Sequence, residues 1–482
     1  MVLRQLARDS VIYGGSDFVF KLIAFWTFPL IAAALTPKAF GALELLLTAT
    51  ALLGMLANCG LNNALQRFYW DAQTELHTRP VWVSSGLATL ALFTLVAAFI
   101  GGIAMLLFTR WSDAESALLG WSGLLAALVL MVAGQLVQYL LDVTRLHMAP
   151  WHFAGIAMAS RVMTAFAGVV AVVWFAGGLD GLLVAQAVVM VLTIPLALYV
   201  VRSDLTLRVD MAIVRKLVQF GHPFIYAGLA FWLFSSMDRW MLASMSSIEE
   251  VGVYSVANRF ASVILFVSMA FSQAWSPIAI KIRTDHPETY RTLYFNILVT
   301  LMSGMTMLGG GIALFAPEIV AWLMPVEYHD AGLVLSVLAL GLILQSTMQV
   351  TAVGISIEAK TYLLARLSWV AAALNFVLNW ALIPLVGAVG AALATSLSYA
   401  FLTGAYLYYT QKLHPLPLVW SKLLLFSALW GGIGLLLIGM TFENHPATSL
   451  IGRVILMLIV VVACISMIPW RKTFDIKRSI SI

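Results

Sequence analysis

Charge is what this sequence has least of. Charged residues fill 10% of 482 positions and hydrophobic ones 62%, where a soluble domain carries roughly a quarter of charged residues, so a water-soluble globular domain is excluded and a bilayer is the fitting solvent. Cysteine is almost missing. Cys59 and Cys464 are the only two; they lie far apart inside apolar runs, which excludes a disulfide framework and a paired-cysteine metal site and leaves both as packing residues. No Gly-rich phosphate loop and no H-E-x-x-H pair occurs, and the eight histidines are scattered, so nucleotide and zinc chemistry lack their motifs. No catalytic residue, cofactor or metal is assigned on this reading.

Long apolar runs take up the space instead. Fourteen of them, with cores from residues 10–34 to residues 449–469, are each long enough to cross about 30 Å of hydrocarbon as a helix at 1.5 Å per residue. They are continuous and rich in Leu, Ala and Met, whereas barrel strands would alternate over about ten residues. Arg4 and Arg8 precede a first run that is too long for a signal-peptide core, so it is expected to stay as the first span. An even span count puts both ends on one side. That side collects nineteen of the 27 cations and the other only Lys38, Arg110 and Arg453, which makes the first side cytoplasmic by the positive-inside rule. The net charge of +5 then reports topology and not nucleic-acid binding, and the basic tail from Arg471 to Arg478 meets lipid headgroups. The longest outer loop, Ala316 to Ala331, is too short to house the extracytoplasmic site of a membrane glycosyltransferase or polymerase.

The chain repeats itself. T-P-K-A-F-G-A-L-E from Thr36 to Glu44 is echoed by S-I-E-E-V-G-V-Y-S from Ser247 to Ser255, and Gly178 and Gly181 correspond to Gly387 and Gly390. The fold class expected is therefore an all-α polytopic membrane protein of about fourteen transmembrane helices: an N lobe over residues 1–205, a C lobe over 212–412, two added helices over 418–470 and a cytoplasmic tail over 471–482. Six helices per unit is an even number, so the repeats are parallel, an arrangement in which transporters place a site between rocking lobes.

Charges inside spans carry the functional reading, because an Arg, Lys or Asp at a helix centre costs about 2.5–3.5 kcal/mol on insertion scales. Lys21, Arg161 and Arg259 sit about 16, 15 and 12 Å into their spans, too deep to reach headgroups easily, and are the expected substrate-binding cations. Arg366 and Arg239, nearer span ends, are expected to snorkel. Asp17, four residues from Lys21, and Glu44 are the candidate ion-coupling carboxylates. Asn375 and Asn379 share one helical face as packing or cavity polar groups. Trp26, Trp232 and Tyr254 are candidate faces for a sugar. Cations in the spans exceed carboxylates, which favours an anionic cargo.

One stretch also carries a resemblance. From Leu374 to Ser398 the sequence reads L-N-F-V-L-N-W-A-L-I-P-L-V-G-A-V-G-A-A-L-A-T-S-L-S, a hairpin in which Pro384 ends one helix and Gly387 and Gly390 open the next. It is similar to the N-x-x-L-N-x-x-L-I-P-x-x-G-x-x-G-A-A-x-A-T stretch of oligosaccharide flippases of the polysaccharide transport family, in the superfamily that also holds multidrug exporters and the peptidoglycan-precursor flippase. Trp380 and Ala381 depart from its aliphatics. Asp238 to Arg259 and Gln273 to Pro277 resemble further segments of that family, so the likeness covers nearly the whole chain. It implies a non-enzymatic carrier of undecaprenyl-pyrophosphate-linked oligosaccharide repeat units, as for O-antigen, lipopolysaccharide or exopolysaccharide, working by alternating access in the bacterial inner membrane among membrane lipids and beside a polysaccharide polymerase. A multidrug exporter of the same fold is the alternative, and a membrane glycosyltransferase or polymerase a more distant one.

Overall fold

An apolar run in hydrocarbon has to satisfy its own backbone, and a helix does so within one segment. The computed structural model of the protein describes residues 2–71, 75–111, 120–442 and 446–469, and every regular element among them is helical. The Asp17 side chain and the tail from Arg471 to Arg478 lie outside the described residues.

The order is α1 (Val2–Ala33), α2 (Pro37–Asn58), α3 (Leu61–Tyr69), α4 (Arg79–Trp111), α5 (Trp121–Leu146), α6 (Pro150–Ala157), α7 (Met163–Val169), α8 (Gly178–Val201), α9 (Met211–Gly221), α10 (Pro223–Met245), α11 (Ile248–Asp285), α12 (Tyr290–Leu323), α13 (Ala331–Ser346), α14 (Met348–Thr351), α15 (Val353–Ile357), α16 (Thr361–Leu413), α17 (Trp420–Phe442) and α18 (Pro446–Met467). Among the described residues ten helical runs are long and apolar enough to cross a membrane. One of these, Tyr362–Leu413, is broken at Val386 and Gly387 and so holds two crossings. The pair α9 and α10, bent by 43°, and the shorter apolar helices Val19–Ala33 and Trp420–Leu435 supply three more. Each of the fourteen expected spans thus has a helix, and the protein is a multi-pass membrane protein.

The two repeats are visible in their joints. Thr36 caps α2 by accepting a hydrogen bond from the Ala39 amide (3.3 Å), and Ser247, its counterpart, caps α11 through the Glu250 amide (3.2 Å). Gly178 and Gly387, also counterparts, both take positive φ, 56° and 54°, where a side chain is disfavoured.

The chain divides into two compact units, Met1–Ser236 and Met237–Ile482. In the first, α5 packs against α8, α4 and α2. Its core gathers at one end, where Tyr139, Phe153, Leu61, Leu65 and Leu217 are buried and the Tyr139 hydroxyl donates to the Val83 carbonyl at 3.0 Å. In the second, α13 packs against α11, α12 and α16. The last two helices dock on α12, where Gly310 and Gly311 make room for Ile433, Val460 and Met457, and Trp430 Nε1 donates to Thr306 Oγ1 at 3.1 Å. Arg453, placed by its sequence among the outer-side cations, is buried: its Nη1 meets Glu318 Oε2 at 2.6 Å and the Leu314 carbonyl at 3.2 Å. A cation about two turns into α18 reaches a carboxylate on α12 before it reaches water.

Candidate functional site

Within the second unit, polar groups on α10, α11 and α16 join into one buried network. Asp238 Oδ1 accepts from the Arg239 amide at 2.8 Å and lies 3.6 Å from Arg239 Nη1. Tyr254 donates its hydroxyl to Asp238 Oδ2 and also bonds Thr395. Arg239 Nε donates to Ser255 Oγ at 3.3 Å, with the guanidinium 5.8 Å from the Tyr254 ring centre. Thr395 Oγ1 accepts from Asn375 Nδ2 at 3.4 Å, and Asn379 Nδ2 donates to Asn375 Oδ1 at 3.0 Å. Asn379 Oδ1 is buried with no hydrogen-bond partner among the described residues.

Two expectations are overturned there. Arg239 does not snorkel to headgroups, because the neighbouring Asp238 neutralises it in the interior, where only 7% of the residue is accessible; a buried cation is stable once paired and hydrogen-bonded. Tyr254, at 1% accessibility, has no face to offer a sugar. Trp26 is exposed, and Trp232, half-buried, spends its Nε1–H on the Thr48 carbonyl at 2.9 Å.

The hairpin is closed from α11. Val386 (φ −141°) and Gly387 (φ 54°, ψ −131°) interrupt α16 two residues after Pro384, and Glu250 accepts from the Ala388 amide that the break has freed. The two family-like segments, one holding Glu250 and the other Gly387, meet at this joint.

In the first unit, a second polar chain crosses from α2 and α3 to α5. Asn58 Nδ2 donates to Asn62 Oδ1 at 3.1 Å and to Gln135 Oε1 at 3.4 Å. Asn62 Nδ2 donates to Asp142 Oδ2 at 2.6 Å, and Gln138 Nε2 to Asp142 Oδ1 at 3.1 Å. Arg145 Nη1, 3.2 Å from Asp142 Oδ1, completes the shell of that buried carboxylate.

The sequence-predicted cations fall in both units. Arg161 lies on a π-helical turn, Met158–Val162, a distortion frequent at functional sites. Its guanidinium is 5.8 Å from the Phe20 ring centre, which brings it to the segment of α1 that carries Lys21. Lys21, Arg161 and Arg259 are all half-buried, and Glu44 is buried. Arg366 is exposed beside Tyr362. Asn375 and Asn379 are together, as expected of one helical face. Sequence reasoning missed Asp238 as a buried group, and missed Asn58, Asn62, Gln135, Gln138 and Asp142 altogether. The spacing of Gln135, Gln138 and Asp142 at i, i+3 and i+7 on an apolar helix was the available signal.

Residues 6–283, more than half of the chain, match the family described as polysaccharide biosynthesis protein. The chain belongs to that family. A probable low-salt glycan biosynthesis flippase, Agl15 of Haloferax volcanii, is 26% identical over 212 residues, 43% of this chain and 44% of the relative, so the match spans less than half of that protein's length. Among solved structures, the lipid II flippase MurJ in an inward closed conformation superposes with a TM-score of 0.74 at 13% identity, over 96% of this chain and 100% of MurJ. An inward-facing multidrug resistance MATE family transporter of the MOP superfamily gives 0.62 at 13% identity, over 82% and 94%. The chain thus has the fold of these carriers.

Proposed function

We propose that this protein is a flippase that moves undecaprenyl-pyrophosphate-linked oligosaccharide repeat units from the cytoplasmic to the outer leaflet of a bacterial inner membrane, by alternating access and with both termini cytoplasmic. Membership of the polysaccharide biosynthesis family is the observation that carries the reading; the fold shared with a lipid II flippase supports it. In this reading Lys21, Arg161 and Arg259 hold the pyrophosphate while the polyprenyl tail stays in lipid. Asp17 and Glu44 remain the proposed ion-coupling carboxylates, joined now by Asp238, which is buried in the polar network of α10, α11 and α16. A polysaccharide polymerase that consumes the product is the proposed partner.

The test is reconstitution. Purified protein in liposomes should move a pyrophosphate-linked saccharide lipid between leaflets without ATP and make no glycosidic bond. Arg259→Ala, Arg161→Ala and Lys21→Ala should each cut affinity for that lipid about tenfold or more, the scale of one charge-assisted contact, and Arg259→Lys should retain more than Ala because a point charge still binds phosphate. Sugar-polymer synthesis by the protein alone would end the reading, and export of cationic dyes without lipid movement would replace it with the drug exporter.

A further inference from the structure

The polar chain of the first unit has no part in the phosphate-binding reading, yet it stands where polar groups are costly. Gln135 is eleven residues from the end of α5 at Leu146, about 16 Å at helical rise and so near mid-membrane, while Asp142 is about 6 Å from that end. Asn58, Asn62, Gln135 and Gln138 are all half-exposed. Half-exposed amides at that depth cannot face hydrocarbon, where each polar group left unpaired costs several kcal/mol, so this face of α2, α3 and α5 lines water. Among the described residues the hydrogen bonds within the chain leave Asn58 Oδ1, Gln135 Nε2 and Gln138 Oε1 unspent. Beside Gln135 a cavity of about 220 Å³ opens between α2 and α5, walled by Leu47, Thr50, Ala51, Met131 and Gly134.

We infer that this amide ladder, running from the cavity at Gln135 to Asp142, is a sugar-recognition track, and that Gln135, Gln138 and Asn58 are specificity-determining residues for the saccharide of the cargo. The inference rests on the flippase reading and deepens it. An amide presents a donor and an acceptor side by side, which matches neighbouring hydroxyls on a pyranose ring. The apolar cavity wall accepts the C–H face of such a ring. The ladder is electrically quiet, since its one carboxylate, Asp142, is compensated by Arg145. A phosphate gains little from neutral amides beside an already paired carboxylate, so headgroup and sugars are read by different residues: Lys21 and Arg161 for charge, the ladder for hydroxyls.

Two variants test it differently. Gln135→Ala with Gln138→Ala removes unspent groups of the ladder. Gly134→Leu keeps the ladder and fills the cavity: a Cβ at Gly134 meets no atom within 4 Å, so the added side chain has space and the helix gains propensity. Full-length protein in nanodiscs is titrated with the lipid-linked saccharide extracted from the producing strain, and with the same carrier after enzymatic removal of its sugars. Wild type should bind the sugar-bearing carrier about tenfold or more tightly than the trimmed one, the scale of two lost hydrogen bonds. Both variants should close most of that gap and leave affinity for the trimmed carrier unchanged, with thermal unfolding as the check on folding. A gap that persists in Gly134→Leu, or equal losses for both carriers, overturns the inference. Wild-type protein that binds both carriers alike overturns it while the flippase reading stands; wild-type protein that binds neither overturns both.

Discussion

Arg239 shows what neighbouring residues do to an intramembrane charge. Alone at a span end it would reach for headgroups, but with Asp238 before it and Ser255 and Tyr254 across from it, the guanidinium is satisfied inside the protein. The pair is asymmetric under mutation. Removing Arg239 leaves Asp238 buried with only Tyr254 and backbone amides to hold its charge, so Arg239→Ala should destabilise the protein by about 3–5 kcal/mol, as breaking a buried pair does. Adding Asp238→Asn to that variant should recover much of the loss, because the stranded charge is gone. Thermal unfolding in detergent reads both, and a single variant as stable as wild type would show that the pair contributes nothing. The same variants separate structure from transport: Arg239→Ala/Asp238→Asn, once stable, still lacks the carboxylate proposed for ion coupling.

At the scale of elements, the break in α16 gives the sharpest contrast. Gly387 and Gly178 occupy equivalent joints with nearly equal φ, yet their surroundings differ. A Cβ on Gly387 would lie 2.5 and 2.6 Å from the Glu250 carboxylate oxygens, and one on Gly178 meets nothing within 4 Å. Gly178→Ala therefore costs only backbone strain, about 1 kcal/mol at the low end of such penalties. Gly387→Ala adds a clash that pushes Glu250 off the Ala388 amide and should cost at least twice as much by thermal unfolding. Glu250→Ala should in turn make Gly387→Ala less harmful, since the clash is then absent; equal cost in both backgrounds would mean that Glu250 does not hold the joint. That Pro384, Gly387 and Gly390 mark this hairpin was legible in the sequence, as were the fourteen spans and the repeat, because they rest on residues near one another in the chain or on runs of one chemistry. The networks were not. Glu250 meets Ala388 across 138 residues and Asn62 meets Asp142 across 80, and helical periodicity says which face a residue occupies without saying which helix faces it. Depth counted along a span carried the same limit, since it expected Arg239 at headgroups, and the count of cations per side put Arg453 outside; Asp238 and Glu318 hold the two inside.

For the whole molecule, the proposed topology rests on where cations stand relative to fourteen crossings. Nineteen on one side against Lys38 and Arg110 on the other, with Arg453 held inside by Glu318, is an asymmetry that loss or gain of a single span would destroy, because every later loop would change sides, and retention of Lys and Arg in cytoplasmic loops is what orients the chain during insertion. The protein is well suited to a direct test, since its two native cysteines, Cys59 and Cys464, are buried and give little background labelling. Glu327, in the loop before α13, is exposed, as are Arg208, between α8 and α9, and Glu288, between α11 and α12. In intact expressing cells Glu327→Cys should react with a membrane-impermeant maleimide, while Arg208→Cys and Glu288→Cys should react only after the membrane is opened. The two inner positions lie in different units, so they report independently on crossings before and after α10. Labelling of Glu288→Cys alone from outside would mean that the bent pair α9 and α10, or α11 after it, does not span; labelling of both would turn the molecule over, placing the basic loops outside and the proposed cargo-binding cations Lys21, Arg161 and Arg259 toward the opposite leaflet.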